Sequence, residues 1–280
     1  MEHDRGIRRP NSRRNLDLAL QRKCGVGASL VQARMAMACA IIGQLVPGAV
    51  VKGGTSLRLR YGRSNSRNTI DCDVARRLEI AEFANGVRTA LNEGWNGFSG
   101  TLVEKQPAKP KGVPPEYVMQ PFEVKLAYLG RSWCTVTLEV GFNEIGVADE
   151  AEMVVPADDI AELFTGLGFP APSAIPLMPL TFQVAQKLHA VTQPGNDRAR
   201  DLIDLQLMAE NATMDFARLN AFCKRLFAFR KRQSWPSMVV KGPKWDELYD
   251  SQKGLLPVLP SVDGAIAWAN QLIARINAAK

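Results

Sequence analysis

The sequence has little histidine, no paired cysteines and no unbroken apolar run of membrane length, and each shortage removes a class of protein. His3 and His189 are the only histidines, and neither sits in the ligand spacing of a structural zinc site. The five cysteines, Cys24, Cys39, Cys72, Cys134 and Cys223, are odd in number, widely spaced and without a C-x-x-C pair. They read as reduced intracellular thiols rather than a disulfide framework. The longest apolar stretch, from about Met35 to Val51, is broken by Gly43, Gln44 and Pro47, whereas a membrane span needs about 20 apolar residues. The basic start, Arg5 to Arg14, runs into Asn15-Leu16-Asp17 instead of an apolar segment. No secretion signal is read there, and this polar start is expected to be mobile. The expectation is a cytoplasmic protein with no membrane partner.

What is present fits an enzyme. The chain has 280 residues, of which 46% are apolar and 22% charged, which is ordinary for a globular protein and enough for one large domain or two modest ones. The net charge is +7. An excess of Lys and Arg favours a polyanionic partner, because each cation that meets a phosphate releases counterions. A plain basic surface is the alternative.

The pattern changes character along the chain. Leu30 to Leu45 reads as a helix that ends near Pro47-Gly48. Ala49-Val50-Val51 reads as a short strand, followed by a turn at Gly53-Gly54 and a helix through Leu57 and Leu59. Ile70 to Val74 reads as a second strand and Leu78 to Asn92 as a helix. Lys105 to Pro115, rich in proline and lysine, reads as a loop. Val124 to Leu129 and Cys134 to Phe142 flank Gly130-Arg131 as a hairpin. Beyond Pro156 strand signals fade. Pro170, Pro172, Pro176 and Pro179 mark a linker, and helical periodicity follows. An α/β domain over residues 1–175 is therefore expected, then a mainly helical domain over residues 176–280 that completes the active site.

Asp71-Cys72-Asp73 is the most informative tripeptide. Residues i and i+2 of a strand share a face, so both carboxylates point one way while Ile70, Cys72 and Val74 point into the core. Such a pair repels unless a divalent cation lies between, and Mg²⁺ takes carboxylate, water and phosphate oxygens. Two solvated acids are the plainer reading. Upstream, Lys52-Gly53-Gly54-Thr55-Ser56 stands at a strand-to-helix turn, where backbone N–H groups of Gly53 and Gly54 can approach a phosphate and Ser56 can add a hydroxyl. The spacing is neither that of a Walker loop nor of a dinucleotide fold. Glu139 lies on a later strand with Thr135 and Thr137, opposite the face of Val136, Leu138 and Val140. It is a candidate metal ligand, a candidate base for an attacking hydroxyl, or a surface acid.

In the helical part, Val184, Leu188 and Val191 form an apolar face over Thr181 to Thr192. Lys187 lies off that face, free to reach a phosphate or to stay solvated. Asp197, Asp201 and Asp204 fall at i, i+4 and i+7, beside Arg198 and Arg200, either as a salt-bridged solvent face or, beside Lys187, with Asp204 placed to orient the lysine or the attacking group. His189 reads as a packed histidine. Lys224, Arg225, Arg230, Lys231 and Arg232 surround Phe222, Leu226 and Phe229, which are expected to pack inward. The cations then form an outward patch for an RNA backbone, or a solvated face.

The order of a Gly-Gly turn, a strand with Asp-x-Asp and a later acidic strand resembles the polymerase-β nucleotidyltransferase superfamily. Within it the chain resembles the AbiEii/AbiGii toxin family, which includes the MenT tRNA nucleotidyltransferase toxins. The resemblance is carried by Val51 to Arg60, Asp71 to Arg77, Val184 to Val191 and Asn196 to Leu205. It implies a mixed sheet flanked by helices (α/β, α+β) followed by a helical part. It also implies Mg²⁺ or Mn²⁺ held by Asp71 and Asp73, and transfer of a nucleotide from an NTP to the 3′ end of tRNA, blocking translation. Lys187 matches the family's active-site lysine and Asp204 its downstream aspartate. Lys52, Gly53, Gly54, Ser56, Glu139 and Arg200 are the expected substrate contacts. A cognate antitoxin is the implied protein partner. The gap from Gly54 to Asp71 is longer than the wider superfamily's pattern, which leaves the loop Tyr61 to Asn68 without an assigned contact. A phosphate on Thr69 would set negative charge two residues from Asp71. The rival readings are transfer to a small molecule or protein, kinase chemistry, and a non-catalytic RNA-binding relative.

Overall fold

The computed structural model describes residues 8–108 and 118–279. Most of the proline-rich loop expected over residues 105–115 lies outside that range, and residues 105–108 have no regular structure. The chain forms two compact units. The first comprises Met1–Arg63 and Asn68–Leu177, the second Ser64–Arg67 and Met178–Lys280.

The first unit is built on a seven-stranded mixed sheet. Its strands are β1 (Ala49–Lys52), β2 (Asp71–Arg76), β3 (Phe98–Glu104), β4 (Gln120–Tyr128), β5 (Arg131–Gly141), β6 (Glu152–Val154) and β7 (Ile175–Leu177), in the order β3-β4-β5-β2-β1-β7-β6. Its helices are α1 (Arg13–Cys24), α2 (Ala28–Leu45), α3 (Gly53–Tyr61), α4 (Ile80–Glu93) and α5 (Asp158–Thr165). β1 runs antiparallel to β2, and β2 runs parallel to β5. The expected hairpin is β4 and β5, with Leu129 and Gly130 at positive φ in its turn.

Several elements depart from the sequence expectations. Residues 1–7 of the polar start lie outside the described residues, and from Arg13 the start is helical instead of irregular. Ser12 caps α1 by accepting the Asn15 N–H at 3.2 Å, and Leu16 and Leu20 on one helical face are fully buried. Ile70 does not face the core. β2 begins one residue later, and Ile70 is 68% exposed because the strand alternation has not started. The proline-marked linker contains β7, which pairs with β1 at Leu177–Val51 and with β6. A short strand of this kind tolerates Pro176, since only a few backbone bonds are asked of it. α2 is long and apolar enough by composition to cross a membrane. Here Met37, Ile41 and Ile42 instead lie buried in the core beside Val51, Cys72 and Val74.

The core of the first unit is rich in aromatic contacts. Phe98 packs against Tyr128, Trp133 and Phe169 with ring centroids 4.8, 5.1 and 5.4 Å apart. The Tyr128 hydroxyl is satisfied by the Pro10 carbonyl, which ties the chain's start to the sheet.

The second unit is helical: α6 (Leu180–Val191), α7 (Ala199–Asn211), α8 (Phe216–Arg230), α9 (Trp245–Lys253) and α10 (Val262–Ala278). Asp215 and Ser261 cap α8 and α10 through side-chain oxygens, relieving one unpaired N–H at each start. Gln206 on α7 joins the α9 side to the following loop. It donates to the Tyr249 hydroxyl at 3.1 Å and accepts the Leu259 N–H at 2.8 Å. The buried stripe of α8 is Leu219, Phe222, Cys223, Leu226 and Phe227, so Phe229 falls at its edge and is 38% exposed rather than packed inward.

Replacing Phe98 by alanine removes a fully enclosed ring that has three aromatic neighbours. The expected cost is about 3–5 kcal/mol, read as a lower midpoint in denaturant unfolding. A loss below about 1 kcal/mol would mean that the cluster is not a keystone of this core.

Candidate active site

In the first unit the site is assembled by strand register. Lys52 on β1 lies opposite Asp73 on β2, and Asp73 lies opposite Glu139 on β5. Asp71 lies opposite Thr137. Cross-strand partners share a face, so one ammonium and three carboxylates crowd a single surface of the sheet. Asp71, Asp73 and Glu139 are each half-buried, while Cys72, Val74, Leu138 and Val140 turn into the core. Burial first, then the charges of Asp73 and Asp71, push the Glu139 carboxyl above the usual carboxylate range, with Lys52 pulling the other way.

The Gly-Gly turn opens onto this row. Gly53 has φ +65°, and a Cβ built there would stand 2.3 Å from Asp73 Oδ2. Both facts require glycine: the backbone is left-handed and the carboxylate occupies the space a side chain would take. On β5, a Cβ at Gly141 would come 3.0 Å from Lys52 Nζ, so small residues leave room for both charged ends. Thr55, which sequence reasoning passed over, is fully buried and donates its hydroxyl to the Asp71 carbonyl at 2.5 Å, locking α3 onto the acidic strand. Ser56 is also fully buried, and its hydroxyl donates to the Gly53 carbonyl at 3.3 Å. Its contribution is therefore to the shape of the turn; the hydroxyl expected to point at a phosphate faces inward. Thr69 is half-buried and its hydroxyl donates to the Asp71 carbonyl at 3.3 Å.

The acids suit a hard cation. The acidic members of the row offer carboxylate oxygens, and glycine at position 53 leaves room for the Asp73 carboxylate. Among the described residues no three His, Cys, Asp or Glu side chains converge as a metal-holding group. Asp71 and Asp73 are the oxygen donors that Mg²⁺ would use, an ion commonly bound through one or two carboxylates with water and phosphate completing its shell.

The second unit holds a separate charged cluster. Lys187 on α6 is buried and donates to Asp201 Oδ1 at 2.8 Å and Asp204 Oδ2 at 2.6 Å, both on α7. Arg67, in the short segment that belongs to this unit, donates its Nε to both oxygens of Asp204 at 3.0 Å. The plainer alternative, a solvated lysine and a solvent face of aspartates, does not hold: Lys187, Asp201 and Asp204 are all buried, with Asp204 on the Lys187 ammonium, while Asp197 and Arg200 are exposed. The apolar stripe at Val184 and Leu188 misled because it marks only part of the buried surface of α6. Asp201 and Arg67 were missed as members of the cluster. Their only signal was the i+3 spacing from Asp201 to Asp204 and an unassigned arginine in the long loop. Burial alone would lower the Lys187 pKa, but Asp201 and Asp204 outweigh it and hold the value above that of a free lysine. Burial alone would raise the Asp201 pKa, and Lys187 outweighs it, holding the carboxyl below the ordinary value. His189 is packed as expected, its ring against Phe227 at 4.7 Å and Nδ1 3.2 Å from Arg230 Nη1.

A mixed sheet with an acidic row beside a glycine turn, followed by a helical unit, places the chain among nucleotidyltransferases. It belongs to the nucleotidyl transferase AbiEii toxin family of type IV toxin–antitoxin systems, whose family model matches residues 36–269. The fold is similar to that of MenT4, a nucleotidyltransferase toxin of Mycobacterium tuberculosis H37Rv. That likeness has a TM-score of 0.52 at 17% identity and covers 94% of this chain and 98% of that one. A weaker likeness, TM-score 0.45 at 17% identity over 90% of this chain and 94% of the other, is to JHP933 from Helicobacter pylori. No curated protein matches the chain.

Two outcomes follow. Gly53→Ala forces a side chain into a left-handed backbone and against Asp73. It is expected to lower stability by about 1–3 kcal/mol and to impair whatever the acidic row binds; a variant with wild-type melting temperature would refute the crowding. In the second unit the sign of the pH dependence is fixed by the shifts. The Asp201 contribution is complete above its ordinary pKa of 3.8 and is lost as pH falls through the lowered folded value. The Lys187 contribution is complete below 10.5 and is lost as pH rises through the raised folded value. Asp201→Asn should flatten the acid limb of a melting-temperature profile; an unchanged acid limb would show that the pair does not govern it.

Proposed function

We propose that this chain is the toxin half of its pair, acting in the cytoplasm by transferring a nucleotide from an NTP to the 3′ end of tRNA, with its cognate antitoxin as the restraining partner. The observation that carries the reading is the register that sets Lys52, Asp73 and Glu139 side by side against the Gly53 turn. Family membership supports nucleotidyl transfer.

Asp71 and Asp73 would hold Mg²⁺ or Mn²⁺, which when bound supplies positive charge to the phosphate oxygens. The remaining work falls to the chain. Backbone N–H groups of Gly53 and Gly54 at the start of α3 face the triphosphate, where the helix terminus favours negative charge. Lys52 adds a cation on the same face. The 3′ oxygen of the acceptor bonds to the α-phosphorus, the bond from that phosphorus to the bridging oxygen breaks, and pyrophosphate leaves. The hydroxyl proton passes to the Glu139 carboxylate, the acid next to Asp73 that the metal pair does not need. Lys187 is assigned, through the family resemblance, to offsetting triphosphate charge. Asp204, together with Asp201 and Arg67, fixes its ammonium. Arg200 is an exposed cation for the same polyanionic substrate.

The test is incubation with total tRNA, Mg²⁺ and each labelled NTP in turn. Label is expected at tRNA 3′ ends with the wild type, and to fall by at least about a hundredfold in Asp71→Ala and Asp73→Ala, a loss of the size seen when a transition-state charge loses its stabilising group. Transfer that survives in folded Asp71→Ala would remove the carboxylate pair from the mechanism. Label found only on a small molecule or a protein would reassign the acceptor.

A further inference from the structure

The charge of this chain is not evenly spread. From Phe216 to Trp245 there are eight Lys and Arg residues (218, 224, 225, 230, 231, 232, 241 and 244) and no Asp or Glu. The chain as a whole has 35 basic and 28 acidic residues, so outside this window the two signs nearly cancel. The net positive charge therefore resides in α8 and the loop that follows it.

That segment borders an open cleft of about 530 Å³, lined by Lys224, Phe227, Lys231, Arg232, Ser234 and Trp235 among others, with no acid among the described lining residues. Its floor is the half-buried Trp235 ring, held in place from two sides. Phe227 meets the Trp235 ring edge-on at 5.1 Å, and Trp235 Nε1 donates to Asn220 Oδ1 at 2.9 Å. Its rim is cationic, with Lys224, Lys231 and Arg232 exposed. Gln233 anchors the loop through hydrogen bonds to the His189 carbonyl at 2.7 Å and the Thr192 hydroxyl at 3.0 Å. Lys241, farther along the loop, is paired with Asp246 and Asp263.

We infer that this cleft binds single-stranded RNA, one base resting on the Trp235 ring, which the buried Phe227 backs edge-on, and its flanking phosphates meeting Lys224 on one side and Lys231 and Arg232 on the other. An aromatic platform inside a positive rim is the arrangement that takes unpaired nucleotides, since every base has a stacking face and every linkage a charge. An acidic protein segment would use the rim but has no need of the aromatic floor. The inference rests on the reading of RNA as the acceptor and adds where the second unit grips it.

The test uses the full chain, with a labelled single-stranded RNA of about a dozen nucleotides, within the ~4–16 covered by one binding fold, and with total tRNA. The variant Lys224→Glu/Lys231→Glu/Arg232→Glu changes only exposed side chains. A control, Arg22→Glu/Arg88→Glu/Arg131→Glu, makes the same change of net charge on exposed residues of the first unit. In fluorescence anisotropy the cleft variant is expected to bind at least about tenfold more weakly, with the slope of log affinity against log salt reduced by about 0.7 per lost phosphate contact. The control should stay within about threefold, as expected when net charge acts only through screened long-range attraction. Trp235→Phe, which keeps a ring, should retain binding better than the charge reversal. Equal weakening in both triple variants, or undiminished RNA binding by the cleft variant, would overturn the inference. So would a wild-type protein that binds neither RNA, even if it transfers nucleotides to another acceptor. Wild-type RNA binding lost only in the cleft variant, with no nucleotide transfer, would uphold the cleft and sink the proposed reaction.

Discussion

The pairing of β2 between β1 and β5 governs the first unit, because register and charge are coupled there. A strand alternates its side chains with a period of two, so a slip of one residue would exchange the faces of Asp71 and Asp73 with those of Cys72 and Val74. Burying the two carboxylates without partners would cost several kcal/mol each. The core face therefore pins the register that holds the acids together. Gly53 and Thr55 reinforce it from the next element. The glycine clears the space that Asp73 occupies, and the threonine hydroxyl holds the backbone of Asp71.

The second unit solves a different electrostatic problem. Lys187, Arg67, Asp201 and Asp204 are two cations and two anions in a mostly enclosed place. Such a cluster tolerates burial because its charges cancel and its oxygens are hydrogen-bonded. Its value lies in position: removing one member leaves an uncompensated charge, so the geometry around Lys187 is fixed more tightly than that of a surface lysine. The same unit carries an excess of Lys and Arg along α8 and the loop after it, a stretch of sequence with no Asp or Glu.

Legibility in the sequence followed how local each signal was. The strand at Ala49–Val51, the Gly-Gly turn, the Asp-x-Asp strand and the β4–β5 hairpin were all readable, because turn chemistry and period-two alternation act over a few residues. Three strands were not. β3 follows a turn held by the Asn96 and Gly97 backbones at positive φ, and β6 and β7 have only three residues each, too few for periodicity. α1 was hidden by its charge, since only Leu16 and Leu20 of its apolar face are fully buried. At the site, the glycines and aspartates could be picked out by type and spacing. The inward turn of Ser56 and the membership of Arg67 and Asp201 could not, because each depends on a partner far away in sequence.

By itself the sequence determined the residue chemistry: a pair of carboxylates on one strand face, a glycine turn before a helix, a lysine on a helix followed by spaced aspartates, and an excess of positive charge. These follow from backbone periodicity and side-chain type, and they are enough to point to a nucleotidyltransferase. Tertiary structure alone decided which charges meet. It set Lys52 and Glu139 on either side of Asp73, buried Lys187 between two aspartates, and collected the surplus cations around one aromatic cleft. The physical reason is that Coulombic attraction and desolvation depend on distance in space and on burial, and neither quantity can be read from separation along the chain.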